Sequence, residues 1–214
     1  LGGSVSLTDL PLTNTHSLGA FLELVHVLRI KYSDQNWLHD NRFQPVLIAK
    51  TNGRRCYLEG ELHLGFLHVS DFFKDEAVEI DFYIRARRAA EFAGFKKTEA
   101  AQFVAAIVEL YSNVVEHSKA VASAYVAFAA YDNCFEFVVT DSGVGVLQSL
   151  TSSSKFSHLS DSGSALELAL TEGISRHDGD ADRGRGFRPI FLGLANVSES
   201  LRFRSGDHAR EMRR

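Results

Sequence analysis

The chain has 214 residues, of which 45% are hydrophobic and 23% are charged, and its formal net charge at pH 7 is −4. These values are typical of a soluble globular protein with one large domain or two small ones, and the negative charge provides no general attraction to nucleic acid or to an anionic membrane. Cys56 and Cys134 are too few for a disulfide framework, which favours a reducing cytoplasm, and no apolar run approaches the ~20 residues of a membrane span.

The first third of the sequence predicts small α/β units. Ser4–Leu7 is predicted as a short strand, and Ser17 as the N-cap of an amphipathic helix that extends to Arg29. The apolar run Pro45–Ala49 is expected to form a buried strand, because it ends at an Asn-Gly turn. Residues 56–73 are ambiguous and are predicted as a helical or mixed segment.

A second unit is predicted to begin close to residue 76. Val, Ile and Phe alternate with polar residues over Ala77–Ile84, which indicates a half-buried strand. Arg85–Ala93 is predicted to continue as a helix that Gly94 ends. The expected organisation is therefore a small α/β segment over residues 1–75 and a larger domain over residues 76–214.

The centre of the larger unit carries the clearest pattern. An amphipathic helix is predicted from Thr98 to His117, and strong β-formers over Ala122–Tyr131 and Cys134–Thr140 predict a hairpin. Ala165–Leu170 is predicted to form one or two helical turns, and Ser200–Ser205 a last strand.

These elements predict an α+β two-layer sandwich. Helices that include residues 98–117 are expected to cover one face of a mixed, largely antiparallel sheet. The arginines between residues 202 and 214 alternate with acidic residues, which favours a solvated tail over a nucleic-acid-binding patch.

The long predicted helix carries three polar side chains at four-residue spacing. Glu109, Asn113 and His117 fall within an arc of about 80° on one face, opposite a wide apolar stripe. Ala105 and Ala106 leave space on the polar side. A carboxylate, a carboxamide and an imidazole beside such a space indicate one wall of a pocket.

A glycine-containing turn follows the predicted hairpin. Asp141 stands at the end of a strand, and Gly143 and Gly145 permit tight turning and a close approach of the backbone to a ligand. A carboxylate at this point can accept a hydrogen bond from an exocyclic amine such as that of adenine. Gly184 and Gly186 form a second glycine turn, whose backbone N–H groups would favour phosphate oxygens.

This order of motifs resembles the ATP-binding superfamily that includes gyrase, the ninety-kilodalton heat-shock chaperone, histidine kinases and mismatch-repair ATPases (GHKL, or Bergerat fold). The resemblance covers residues 77–207. Residues 109–117 are similar to the N-box of the family, residues 141–145 to its adenine-contacting glycine box, and residues 184–187 to the second glycine box, which borders the triphosphate.

The resemblance implies ATP and Mg²⁺ as cofactors and assigns a role to each matching position. Asn113 would ligate Mg²⁺, Asp141 would bind the adenine amine, and Glu109 would be the catalytic residue that orients or deprotonates the attacking water or hydroxyl. The remaining positions that would contact the nucleotide are His117, Gly143, Gly145, Gly184 and Gly186.

The adjacent Glu116 and His117 most resemble the small anti-sigma serine kinases and related bacterial regulators. That likeness implies a cytoplasmic ATP-binding regulator in signalling or transcription control, which phosphorylates a serine of a partner protein. No nucleic-acid or membrane partner is expected, and homodimers are common in this group. Arg188 and Pro189 replace a glycine and a leucine of the family pattern, which puts turnover in doubt. The alternative is a non-catalytic protein-interaction module with a vestigial or switch-only nucleotide site.

Several positions keep two interpretations. His117 either contacts the nucleotide or caps carbonyls at the helix end, and Ser205-Gly206 is either the closing edge of the adenine site or an ordinary turn. Residues 1–75 weakly resemble a STAS-like module, a type that often partners anti-sigma ATPases, or else extend the ATPase core. The acidic segment 177–182 and the arginines at 183–188 are favoured as solvated charge over metal or phosphate ligands.

Overall fold

The computed structural model describes residues 17–27, 41–171, 190, 193–194 and 197–214. Its helices are α1 (Leu18–Val27), α2 (Gln44–Asn52), α3 (Val69–Phe72), α4 (Glu76–Phe92), α5 (Lys97–His117), α6 (Gly145–Thr151) and α7 (Ser162–Thr171), with two 3-10 helices at Val121–Ser123 and Ser154–Phe156. Its strands are β1 (Cys56–Leu58), β2 (His63–His68), β3 (Tyr125–Tyr131), β4 (Cys134–Thr140), β5 (Ser200–Ser205) and β6 (His208–Arg213).

The described strands form two antiparallel sheets. Four of them pair in the order β1-β2-β3-β4, and β5 pairs with β6 in a separate ribbon. The β3–β4 hairpin turns at Asp132 and Asn133, whose φ angles are 47° and 61°. Two consecutive residues with positive φ match the right-handed twist of the flanking strands, and the predicted hairpin is confirmed.

Helices pack on both faces of the four-stranded sheet. Tyr125, Ala127 and Ala129 of β3 join the core formed with α1 and α2. The residues between them, among which Val126 and Phe128 are fully buried, join the core formed with α4 and α5. The predicted α+β class is therefore confirmed. Among the described elements, however, the sheet is the middle of three layers, whereas helices were expected on one face.

The prediction of a strand over Pro45–Ala49 is wrong, because these residues lie inside helix α2. Pro45 occupies the first turn, where its missing N–H leaves no bond unmade, and Gly53 ends the helix with a left-handed φ of 62°. The periodicity of a short apolar run does not distinguish a buried strand from a buried helix. The proline at the start and the glycine after the end were the signals that indicated a helix.

The strand predicted over Ala77–Ile84 is also wrong, because it forms the first half of α4. The Asp75 side chain accepts a hydrogen bond from Ala77 N at 2.9 Å and so caps the helix. Val78 and Phe82 point to the core, whereas Ile80 is 51% exposed. The apparent alternation came from apolar residues on two opposite faces of one helix.

Other predictions are confirmed by the described elements. A helix follows Ser17, another spans Lys97–His117, and helix α7 and strand β5 lie where they were expected. The segment 56–73 forms β1, β2 and α3, and the expected solvated tail includes the strand β6. The strand predicted at Ser4–Leu7 lies outside the described residues.

The predicted boundary between residues 75 and 76 falls just before α4. Strand β2, which precedes this boundary, pairs along its whole length with β3, which follows it. The division into 1–75 and 76–214 stays a prediction. None of the helices in the described part of the chain is long and apolar enough to cross a membrane.

Candidate nucleotide site

Helix α5 brings the three predicted polar side chains to one cavity. Glu109, Asn113 and His117 are half-buried and line a cavity of about 2410 Å³, together with the turn 141–145 and the Ser205-Gly206 turn. The polar face of α5 and the glycine turn therefore line one cavity, and their role at that cavity stays a prediction.

The carboxamide of Asn113 is held in a defined orientation. Its Nδ2 donates a hydrogen bond to the Glu109 carbonyl oxygen at 2.9 Å. This bond uses the donor end of the side chain, and Oδ1 has no hydrogen-bond partner among the described residues. An oxygen of this kind is the ligand type that Mg²⁺ prefers, since the ion is usually bound by one or two protein oxygens and by substrate phosphates. The residue therefore fits the metal that the resemblance implies.

His117 occupies the last turn of α5. Its side chain is 24% exposed, and its Nε2 lies 3.9 Å from a carboxylate oxygen of Glu116. It lines the cavity and also stands next to the C-cap residue Ser118. Both interpretations made from the sequence, a ligand contact and a helix-end interaction, agree with this position.

The glycine turn is closed by Asp141 and packed against the end of α5. Asp141 Oδ1 accepts a hydrogen bond from Gly143 N at 2.7 Å, which closes an Asx-turn. A Cβ at Gly143 would lie 2.2 Å from the Ser118 carbonyl oxygen. Val144 N donates to that same carbonyl at 3.0 Å. Only glycine permits this approach, and the turn is thereby fixed to the helix that carries Asn113.

Gly145 connects the turn to helix α6 and to the β5–β6 ribbon. Its φ of 74° lies in the left-handed region that favours glycine. The next residue, Val146, donates its N–H to Ser205 Oγ at 2.8 Å, and Ser205 is one of the few buried polar residues in the described chain. A serine distant in sequence thus satisfies an N–H of the first turn of α6. Gly206 lies in the turn between β5 and β6, where its φ is 61°, and it packs against Ser162.

Glu136, which was not predicted from the sequence as a site residue, lies on β4 and faces α1. Its carboxylate accepts hydrogen bonds from Ser17 Oγ at 2.6 Å, from Gly19 N at 3.2 Å and from the Tyr131 hydroxyl. Burial, followed by the hydrogen bond to Glu136, raises the pKa of Tyr131. A single acid between apolar residues of a predicted buried strand was the signal that could have identified this contact.

Three groups of residues named in the sequence analysis lie outside the described residues: Gly184 and Gly186, the arginines at 183–188, and the acidic segment 177–182. Within the described ranges, no cluster of three or more His, Cys, Asp or Glu side chains forms a metal centre.

Comparison of the chain with protein-family models, with curated proteins and with solved structures gives no match. The resemblance to the GHKL superfamily therefore depends on the motifs themselves, two of which, at 109–117 and 141–145, line one cavity.

Proposed function

We propose that the chain binds an adenine nucleotide with Mg²⁺ and acts as a regulatory protein of the histidine-kinase-like ATPase type. One observation carries this proposal. The Asn113 carboxamide on α5 and the Asp141 carboxylate at the end of β4 line the same cavity, although 28 positions separate them in the sequence.

In this proposal each described group has a distinct task. Asp141 has one carboxylate oxygen in the Asx-turn, and the other is available to accept a hydrogen bond from the adenine amine. Asn113 Oδ1 would hold Mg²⁺, which neutralises phosphate charge when it is bound. Gly184 and Gly186 stay proposed contacts to the phosphates, on the strength of the resemblance alone.

Glu109 is the proposed catalytic residue if ATP is turned over. It lies one helical turn before Asn113 and lines the same cavity. A carboxylate there could accept a proton from an attacking hydroxyl, such as a serine of a partner protein. The partner would be a cytoplasmic regulator, of which a STAS-type protein is one example. The alternative function, a switch-only nucleotide site in an interaction module, requires the same binding without turnover.

Titration of a fluorescent ATP analogue, with and without Mg²⁺, tests the binding. We expect Mg²⁺ to strengthen binding to the wild-type chain and to have little effect on Asn113→Ala. Gln102→Ala is the matched control, because Gln102 lies on the same helix, is exposed and does not line the cavity. Absence of wild-type binding at millimolar nucleotide, or a wild-type Mg²⁺ response in Asn113→Ala, would contradict the proposal.

Turnover requires a second experiment. Incubation of labelled ATP with the wild-type chain and with Glu109→Gln should show phosphate release or transfer only in the wild type. Equal background in both chains, in a protein that binds the nucleotide, would leave the switch-only function.

A further inference from the structure

Helix α1 lies beside a gap between the two sheets. Strand β4 is the last strand of the four-stranded sheet, and among the described strands β5 pairs only with β6. Residues of α1, β4 and β5 all line the candidate site cavity. Helix α1 makes hydrogen bonds to both sheets, so it connects two walls of the cavity that share no backbone ladder.

The N-terminal end of α1 is attached to β4. Glu136 accepts hydrogen bonds from the Ser17 hydroxyl at 2.6 Å and from the Gly19 N–H at 3.2 Å. A carboxylate that accepts from a backbone N–H in the first turn of a helix is also favoured by the helix dipole. This contact fixes where α1 starts relative to the sheet.

The middle of α1 is attached to β5 through an ion-pair network. Glu23 accepts two hydrogen bonds from Arg202, at 2.7 and 2.9 Å, and one from Arg204, at 3.0 Å. The Glu23 side chain is only 24% exposed. The hydrogen bond from Arg202, together with Arg204, lowers the pKa of Glu23 against the opposing effect of burial. Fork-shaped pairing of this kind fixes orientation as well as distance.

A continuous set of contacts leads from Glu23 to the glycine turn. Arg204 is followed in β5 by Ser205, and Ser205 Oγ accepts the hydrogen bond from Val146 N. Val146 directly follows Gly145, whose backbone forms part of the cavity wall. A displacement of β5 relative to α1 would therefore move Ser205 Oγ, which accepts the hydrogen bond from Val146 N in the first turn of α6.

We propose that Glu23 is a positioning residue for the nucleotide site. Through Arg202 and Arg204 it holds the β5–β6 ribbon in place, so that Ser205 stays at the start of α6 beside the glycine turn. This inference rests on the proposed function for its effect on nucleotide. It assigns α1, a part of the N-terminal third, the role of an intramolecular brace that sets the geometry of the site.

Amide hydrogen exchange of the nucleotide-free chain tests the positioning directly. We expect Glu23→Gln to speed exchange of the Val146 amide and of the β5–β6 amides by about tenfold, which corresponds to about 1.4 kcal/mol. Glu91→Gln is the matched control, because it breaks the exposed ion pair with Arg87 on α4. Equal exchange at the Val146 and ribbon amides in the two variants would overturn the proposal.

Nucleotide affinity provides the second measurement. Glu23→Gln and Arg202→Gln should each weaken binding of the fluorescent ATP analogue by several-fold, and the double variant should be little weaker than either, because both changes remove one shared contact. Urea unfolding of each variant shows whether global stability alone accounts for the loss. Fully additive effects in the double-mutant cycle would refute the coupling.

The two proposals fail in different ways. If the wild-type chain binds no nucleotide, the proposed function is wrong, while faster exchange in Glu23→Gln would still show that α1 positions the ribbon. If the wild-type chain binds nucleotide and Glu23→Gln has wild-type exchange and affinity, only the role of Glu23 is wrong.

Discussion

Substitution of Gly143 by alanine should be among the most damaging single-methyl changes in the described chain. The added Cβ would lie 2.2 Å from the Ser118 carbonyl oxygen, 2.6 Å from Asp141 Oδ1 and 2.7 Å from Ser118 Cβ. The nearest of these atoms belongs to the backbone at the end of α5, which cannot rotate away as a flexible side chain can. The turn must therefore separate from the helix.

Separation of the turn from α5 has two costs in the free energy of unfolding. Overpacking at a tight site typically costs ~1–3 kcal/mol. Loss of the Val144 N–H bond to the Ser118 carbonyl adds about 0.5–1.5 kcal/mol. We therefore expect Gly143→Ala to lower the free energy of unfolding by roughly 1.5–4.5 kcal/mol, the sum of these ranges. We also expect it to weaken nucleotide binding, because the Asp141 carboxylate loses the hydrogen bond that orients it.

Urea unfolding and titration of the fluorescent ATP analogue measure the two effects. Gly19→Ala is the control for the unfolding measurement, because a Cβ there would only approach Ser17 Oγ at 3.7 Å and Glu136 Oε2 at 3.9 Å. Inside helix α1 that change should be neutral or stabilise by up to about 1 kcal/mol. A Gly143→Ala chain with wild-type stability would refute the argument that the turn is locked against α5.

Further predictions concern the ribbon, the sheet and α1. Ser205→Ala should lower the free energy of unfolding by about 0.5–2 kcal/mol, as the loss of a helix cap does. Ser200→Ala, at an exposed position of the same strand, is the control and should cost little. Equal urea midpoints for the two variants would contradict this prediction. Burial lowers the pKa of His68 in the folded chain. Between this lowered pKa and the unfolded value of about 6.5, the unfolded chain binds more protons than the folded chain. The contribution of His68 to the free energy of unfolding is therefore fully present above pH 6.5 and is lost as the pH falls towards the folded pKa. His68→Phe should therefore lose less stability than the wild type between pH 7.5 and 5.5 in urea unfolding, and an unchanged loss would exclude His68 as its source. Glu136→Leu should release the start of α1, detected as faster proteolysis within residues 17–27, and wild-type resistance would show that the apolar contacts of α1 suffice.

The elements that the sequence predicted well carry their signals locally. Helix α5 extends over 21 residues with a broad apolar face, and the hairpin has a two-residue Asp-Asn turn between strong β-formers. The two wrong strands at Pro45–Ala49 and Ala77–Ile84 were short, and their apolar positions were compatible with either structure. At Ala77–Ile84 tertiary packing decided the outcome, because a helix with apolar residues on two sides can bury one side and expose the other. At Pro45–Ala49 the informative signals were the helix ends at Pro45 and Gly53.

The candidate site likewise contains relations that the sequence predicts and contacts that it does not. Glu109, Asn113 and His117 were predicted to share a face because helix geometry alone fixes their relation. The contacts from Val146 to Ser205 and from Glu23 to Arg202 join residues 59 and 179 positions apart. No periodicity or spacing encodes such pairs, and a single charged residue on a helix is usually a solvated one. These contacts therefore became visible only in the fold.

The three-layer arrangement changes what the N-terminal third can do. Strand β2 forms a full ladder with β3, and α1 and α2 cover the face of β3 opposite to α5. Residues before the predicted boundary thus share one sheet and one core with the residues that build the candidate site. A displacement of α1 would act on the cavity at two places, through Glu136 on β4 of the four-stranded sheet and through the pairing of Glu23 with the separate β5–β6 ribbon. A brace inside one packed unit transmits small displacements, because close-packed cores transmit strain.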